Sequence, residues 1–149
     1  LGAQGGFAAG RREVIDWLWN AARGQMFSTA LTPAACAAAL EALRMIEQEP
    51  ARRSGLLVRS QQLVEQLRSA GWTIPENVCG PIIPLLVGDA ERAVRYSCEL
   101  RDQGCFVPAV RPPTVPQRTS RLRISLSADH SEEAIQALVR GLAAVQARH

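Results

Sequence analysis

Apolar residues recur at helical spacing through the first half of the chain, and this pattern predicts three helices. The predicted helices cover residues 11–25, 33–49 and 51–70. Thr32 and Pro33 give the second helix an N-cap residue followed by a proline, and a glycine directly follows the third helix. The apolar positions that define these helices are Val14, Ile15, Leu18, Ala22, Leu40, Leu43, Ile46, Leu56, Leu63, Val64 and Leu67.

The period changes in the second half of the chain, where three short segments predict a small sheet. The predicted strands are "GPIIPLLVG" (80–88), "CFVPAV" (105–110) and "RLRISLS" (121–127). A proline inside the first strand predicts that this strand lies at a sheet edge or carries a bulge. In the third strand Leu122, Ile124 and Leu126 alternate with Arg121, Arg123, Ser125 and Ser127. One face of this strand should therefore be core and the other polar.

Two further helices complete the predicted α/β class, in which helices precede a small sheet domain. Asp89 caps a helix that runs to Gln103, and Ser131 caps the final helix. Their expected buried positions are Ala90, Val94 and Cys98 in the first, and Ile135, Leu138, Val139, Leu142 and Val145 in the second.

Composition limits the possible classes of protein. The chain is 47% apolar and 21% charged, as expected for a globular protein and not for a disordered tail. The net charge is +3, and all 17 basic residues are arginine because lysine is absent. No apolar run reaches the roughly 18 residues of a membrane helix, and the N-terminus does not resemble a signal peptide. We therefore expect a cytoplasmic protein that makes no membrane contact.

Four cysteines, Cys36, Cys79, Cys98 and Cys105, form no C-x-x-C pair. Only two histidines could join them in a metal site, so no metal is expected. Buried, reduced thiols are the predicted state of these cysteines.

The polar face of the third strand is the first candidate site. A guanidinium binds a carboxylate through two parallel hydrogen bonds and stays charged, and a strand fixes its position. An arginine on this face, Arg121 or Arg123, could therefore clamp a carboxylate. The preceding "RPPTVP" cannot be helical and would form a rigid lip that carries Thr114. Alternatively, this face of the strand is simply solvated.

Other polar residues permit simpler explanations. Ser28 and Thr29 precede a predicted helix start, where a phosphate could bind, although hydroxyls there often act only as caps. His130, just before the last helix, is expected to be a structural partner rather than a base.

The segment "RPPTVPQRTSRLRISLSADH" resembles the C-terminal signature of the α-oxoamine synthases, and "LGAQGGFAAG", "GQMFSTALTPA" and "IIPLLVGD" resemble other segments of that family in the same order. The resemblance covers nearly the whole chain. Within the family, "RPPTVP" is most similar to the branch that makes 8-amino-7-oxononanoate in biotin biosynthesis. It implies the C-terminal part of an aspartate-aminotransferase-like, fold type I enzyme. Residues 1–50 would end the large cofactor-binding domain and add a linking helix, and residues 51–149 would form the small C-terminal α/β domain.

The resemblance also implies a reaction and its participants. A homodimeric acyltransferase with pyridoxal 5'-phosphate would condense L-alanine with a pimeloyl thioester, carried by coenzyme A or a carrier protein, and release carbon dioxide. Arg123 matches the family arginine that binds the amino-acid carboxylate, and Thr114 matches a substrate-contacting threonine. Arg111 could face the substrate channel. Ser28 and Thr29 match residues that approach the cofactor phosphate of the neighbouring subunit.

One family feature does not occur in this chain. The family forms its Schiff base on a lysine a few residues before the position matched by Leu1, and the chain contains no lysine. The sequence therefore predicts the C-terminal portion of such an enzyme, inactive by itself.

Two alternatives remain open from the sequence. One is another α-oxoamine synthase, of the glycine C-acetyltransferase or 5-aminolevulinate synthase type. Another is a non-catalytic relative that acts as a binding or dimerisation module. A nucleic-acid-binding module is disfavoured, because the 14 acidic residues are interleaved with the basic ones and aromatic residues make up only 5%.

Overall fold

A computed structural model describes residues 1–148 and divides the chain into two compact units, Leu1–Pro50 and the residues from Ala51 onward. The roles predicted for these two segments, the end of a large domain and a small domain, stay predictions. The elements in chain order are α1 (Arg12–Ala21), α2 (Arg23–Met26), α3 (Pro33–Gln48), α4 (Pro50–Ser69), β1 (Ile82–Gly88), α5 (Ala90–Asp102), β2 (Ala109–Val110), β3 (Ser120–Ser125) and α6 (Glu132–Arg148).

The N-terminal unit contains α1, α2 and α3, and none of its residues is buried. The prediction of one helix over 11–25 was wrong, because the extended backbone of Ala22 (φ −83°, ψ 95°) separates α1 from α2. The cap of α3 is confirmed, since the Thr32 hydroxyl accepts a hydrogen bond from the Ala35 N–H at 3.3 Å. No described residue of α1, α2 or α3 is buried, and Leu40 keeps 52% of its surface exposed.

Glycines terminate two helices of the second unit through the same backbone motif. After α4, the Gly71 N–H donates to the Arg68 carbonyl at 2.9 Å and the Trp72 N–H donates to the Leu67 carbonyl at 3.0 Å. Gly104 repeats this pattern after α5, and both glycines have a positive φ. These are the bonds of a Schellman motif, which places a left-handed residue just beyond the helix. The predicted stops at both positions are confirmed.

The backbone conformation of a glycine determines whether its replacement by alanine raises or lowers the free energy of unfolding. Gly104→Ala should lower the free energy of unfolding by about 1 kcal/mol, because φ is +81° and a side chain disfavours that region. Gly55→Ala should raise it by about 0.5–1 kcal/mol, because Gly55 lies inside α4 with nothing within 4 Å of the added Cβ. Urea denaturation of the two variants tests both signs. A change of the same sign and size in both variants would contradict the backbone conformations described for Gly104 and Gly55.

The sheet has the strand order β1-β3-β2, and both pairings are antiparallel. β3 is therefore central, and the edge position predicted for the first strand is confirmed. Pro84 of β1 lies opposite Arg123. Two residues further, the Leu86 N–H points away from β3 and donates to the Thr73 carbonyl at 2.9 Å. The missing N–H of Pro84 faces the same outer side, so it costs the β1–β3 ladder no bond.

One hydrophobic cluster joins the inner face of the sheet to α4, α5 and α6. The predicted alternation in the third strand is confirmed, since Leu122 and Ile124 are buried and Arg123 is exposed. The stripe predicted for the final helix is also confirmed: Ile135, Leu138, Leu142 and Val145 are buried, and Val139 packs against the cluster. Glu133, at the start of α6, has a pKa below its ordinary value. The cause is that its carboxylate accepts hydrogen bonds from its own backbone N–H and from the Ser131 hydroxyl.

The buried face predicted for α5 was wrong. Val94 is 39% exposed and Cys98 is exposed, whereas the buried residues are Ala93, Tyr96, Ser97 and Leu100. The largest apolar side chains, Tyr96 and Leu100, determine which face turns inward, because they bury the most surface. The prediction of buried cysteines was also wrong, since Cys36, Cys79 and Cys98 are exposed and Cys105 is partly buried.

Membrane-spanning helices and metal clusters do not occur in the described part of the chain. Within residues 1–148 no helix has the length and apolar character needed to cross a membrane. In the same range no three His, Cys, Asp or Glu side chains are grouped so that they could hold a metal ion.

Candidate functional site

The candidate site is built on the outer face of β3. Leu122 and Ile124 are anchored in the core on the inner face, which fixes the opposite direction for the side chains of Arg121, Arg123 and Ser125. The backbone of this strand pairs with β1 on one side and with β2 on the other. Because β3 is hydrogen-bonded on both sides, the backbone of Arg123 is held in a fixed position.

The guanidinium of Arg123 is available for a ligand. Within residues 1–148 it has no hydrogen bond or ion pair, although the Arg123 backbone N–H donates to the Pro108 carbonyl at 2.9 Å. Its neighbour on the same face differs, because Arg121 Nε already donates to the Thr119 carbonyl at 3.0 Å. Arg123 therefore keeps all five N–H donors of its side chain for an acceptor outside the described chain.

Three predicted substrate residues line one cleft of about 410 Å³. Arg111 and Thr114 lie in the loop that follows β2, and Arg123 lies on β3 beside them. The loop is a series of turns, as the prolines predicted, and the Thr114 N–H donates to the Arg111 carbonyl at 3.1 Å. The structure thus brings together Arg111, Thr114 and Arg123, while their roles stay predictions.

Arg123 also lines a second, mostly apolar cleft of about 480 Å³ beside the end of β3. This cleft exists because the segment 104–107, which precedes the Pro108 carbonyl that pairs with Arg123, does not continue the sheet. Pro108 has no N–H, and the Val107 carbonyl accepts a hydrogen bond from the buried Ser97 hydroxyl at 2.6 Å. The Cys105 N–H donates to the Leu100 carbonyl at 2.8 Å. These groups are therefore absent from the edge of β3, and a gap opens there.

The turn that follows β3 contributes His130 to this second cleft. His130 Nδ1 accepts a hydrogen bond from the Ser127 N–H at 3.2 Å. This bond agrees with the structural role expected for the histidine. Arg59 of α4 donates from Nη2 to the Ala128 carbonyl at 2.7 Å and from Nη1 to the His130 carbonyl at 2.8 Å.

Sequence reasoning missed Arg59 as a residue of this region. The contacts span 69 and 71 positions of the chain, and Arg59 is one of many arginines on predicted helices. No local pattern distinguishes an arginine that binds a distant turn from one that is solvated.

The residues predicted to bind the cofactor, Ser28 and Thr29, lie in the N-terminal unit. Both are exposed between α2 and α3, and the Ser28 hydroxyl donates to the Gln25 carbonyl at a long 3.5 Å. Exposed hydroxyls of this kind can donate to phosphate oxygens, so this part of the chain fits the phosphate of pyridoxal phosphate. The aldehyde of that cofactor has no lysine partner in the sequence.

Curated relatives match almost the whole chain. A protein of Acetivibrio thermocellus named putative 8-amino-7-oxononanoate synthase is 47% identical over 95% of the chain. An 8-amino-7-oxononanoate synthase of Anaeromyxobacter dehalogenans is 43% identical over 97% of it. The chain spans 36% of the length of each relative. The resemblance to the α-oxoamine synthases is therefore confirmed.

Solved structures agree with the expected fold. A serine palmitoyltransferase from Sphingomonas wittichii superposes with a TM-score of 0.91 at 27% identity and covers 99% of the chain, which spans 37% of that protein. A high-resolution structure of SPT with PLP superposes with a TM-score of 0.85 at 25% identity over 92% of the chain and 35% of SPT.

These similarities confirm two expectations drawn from the sequence. The fold is that of an aspartate-aminotransferase-like, fold type I enzyme, and a solved relative, SPT, holds pyridoxal phosphate, the cofactor that the resemblance implies. The family model of the class I and II aminotransferases matches residues 1–142. The chain therefore belongs to the aminotransferase class I and II family.

Proposed function

We propose that this chain is the C-terminal part of an acyltransferase that condenses L-alanine with a pimeloyl thioester to 8-amino-7-oxononanoate, with loss of carbon dioxide, in biotin biosynthesis. One observation carries the proposal: the unpaired guanidinium of Arg123 sits on a rigid central strand between two clefts. The names of the relatives, at 43–47% identity, support the choice of substrates.

Arg123 has the chemistry to bind the carboxylate of alanine through two charge-assisted hydrogen bonds. A carboxylate held in this way fixes the orientation of the bonds at the substrate α-carbon. Pyridoxal phosphate, when bound, supplies the electron-withdrawing ring that stabilises negative charge at that carbon. Thr114 would add a hydroxyl, and Arg111 a positive charge, to the wall of the 410 Å³ cleft that both line with Arg123.

The remaining parts of the proposal concern assembly. Residues 1–50 would belong to the large cofactor-binding domain, and residues 51–149 would form the small domain. The enzyme would be a homodimer in the cytoplasm, in which Ser28 and Thr29 donate to the cofactor phosphate of the partner subunit. Their exposure leaves both hydroxyls accessible to a group outside the N-terminal unit.

A condensation assay tests the proposed function in the native polypeptide that carries these residues. We expect L-alanine and pimeloyl-CoA to give 8-amino-7-oxononanoate at least about 100-fold faster than glycine with acetyl-CoA or succinyl-CoA, because the wrong acyl chain loses several buried methylene contacts of about 0.8 kcal/mol each. A preference for serine with palmitoyl-CoA would instead agree with the solved relatives. Absence of any condensation would favour a non-catalytic module.

A further inference from the structure

The turn of residues 127–130 is held from several sides. Besides the bond from Ser127 to the His130 ring, the His130 N–H donates to the Ser127 carbonyl at 3.3 Å, and the Asp129 N–H donates to the Ser127 hydroxyl at 3.3 Å. Arg52 of α4 forms an ion pair with Asp129 at 3.0 Å. This turn connects β3, which carries Arg123, to α6.

Arg59 binds two backbone carbonyls at once, through the two terminal nitrogens of its guanidinium. Its two terminal nitrogens bind carbonyls two residues apart, at 2.7 and 2.8 Å, and one of these bonds is partly buried. The planar guanidinium is preorganised for such pairs of acceptors, whereas a lysine ammonium has one donor centre. Arg59 therefore fixes the spacing between Ala128 and His130.

This geometry determines which ring nitrogen of a neutral His130 carries the proton. Because Nδ1 accepts the Ser127 N–H, the neutral imidazole carries its proton on Nε2. No hydrogen bond uses Nε2 in residues 1–148, and His130 lines the same cleft as Arg123. The rest of that cleft is mainly apolar, with Phe106, Leu126 and Leu138 among its lining residues. Few convergent polar groups in an apolar cleft are the usual composition of a small-molecule site.

We propose that His130 is a second ligand-contacting residue, whose Nε2–H donates to a carboxylate in the cleft of about 480 Å³ that it lines with Arg123, and that Arg59 is the positioning residue that holds this donor in place. The carboxylate as ligand rests on the proposed function. The positioning of His130 by Arg59 does not, since it depends only on contacts within the second unit.

Nitrogen-15 NMR of the imidazole rings tests the positioning step in the full 149-residue chain. The wild-type His130 should be predominantly the Nε2–H form. Arg59→Gln should lower the ratio of the Nε2–H to the Nδ1–H form about fivefold, the factor expected when one net hydrogen bond is lost. Arg59→Lys should restore part of the ratio. A His149→Gln variant assigns the signals of the two histidines.

A matched control lies on the same helix. Arg68 also donates to two carbonyls, those of Ile74 and Pro75 at 3.4 and 2.6 Å, and neither belongs to the turn of residues 127–130. Arg68→Gln should leave the His130 ratio unchanged. An unchanged ratio in a folded Arg59→Gln variant overturns the positioning role. If that variant does not fold, an unchanged ratio in Arg59→Lys overturns it equally.

Titration with sodium propionate tests the ligand step, because propionate presents a carboxylate on a short apolar chain. The Nε2–H signal of His130 should shift saturably, and Arg59→Gln should weaken the apparent affinity several-fold. A titration in which the His130 signal does not move overturns the ligand role. Neither result depends on alanine condensation, so failure here is distinguishable from failure of the proposed function.

Discussion

Replacement of Arg123 by alanine should reduce kcat/KM for L-alanine about 100-fold in the active enzyme that carries this chain, because two charge-assisted hydrogen bonds to the substrate carboxylate disappear. The loss should appear mainly in the KM for alanine, since the carboxylate is already bound in the ground state. The KM for the acyl thioester should change little. Arg123→Lys should recover part of the activity through its charge, although a single ammonium cannot reproduce the bidentate geometry.

Arg121→Ala is the matched control for this prediction. Arg121 lies on the same face of β3 two residues away, but it lines neither cleft and its Nε already binds the Thr119 carbonyl. Steady-state kinetics with varied alanine should therefore separate the two variants by more than tenfold. Alanine kinetics that are unchanged in Arg123→Ala would remove the assignment of the carboxylate site. Equal losses in both variants would indicate a general effect on the strand.

Local rules of sequence predicted the parts of the fold that local interactions determine. The caps at Thr32, Asp89 and Ser131 all receive the expected backbone N–H. The alternating pattern of the third strand identified its buried face, because a strand between two neighbours has only one way to bury Leu122 and Ile124. The same pattern placed Arg123 on the outer face.

Features that depend on tertiary contacts were not predictable. The buried face of α5 follows from packing against the sheet and α6. The spacing of small apolar residues such as Val94 and Cys98 therefore predicted the wrong face. The two clefts around Arg123 result from the early end of β2 and from the bond between Ser97 and the Val107 carbonyl. Arg59 reaches its turn across some seventy residues. The family resemblance supplied the expected roles of Arg111, Thr114, Ser28 and Thr29, which no periodicity could supply.

The absence of lysine leads to a second prediction, which concerns where pyridoxal phosphate can attach covalently. Pyridoxal phosphate attaches to amines, and the only primary amine of the 149-residue chain is the α-amino group of Leu1. Borohydride reduction of the chain with the cofactor should therefore leave no adduct on any side chain. The native polypeptide that carries residues 1–149 should behave differently, because the proposed enzyme needs a Schiff-base lysine in another part of its sequence.

Mass spectrometry of that native polypeptide after borohydride reduction is the most direct test that this chain works within a pyridoxal-phosphate enzyme. We predict a chain longer than 149 residues with one reduced cofactor adduct on a lysine that lies outside residues 1–149. A native chain of 149 residues, or a longer one in which no lysine carries the cofactor, would contradict the proposed synthase.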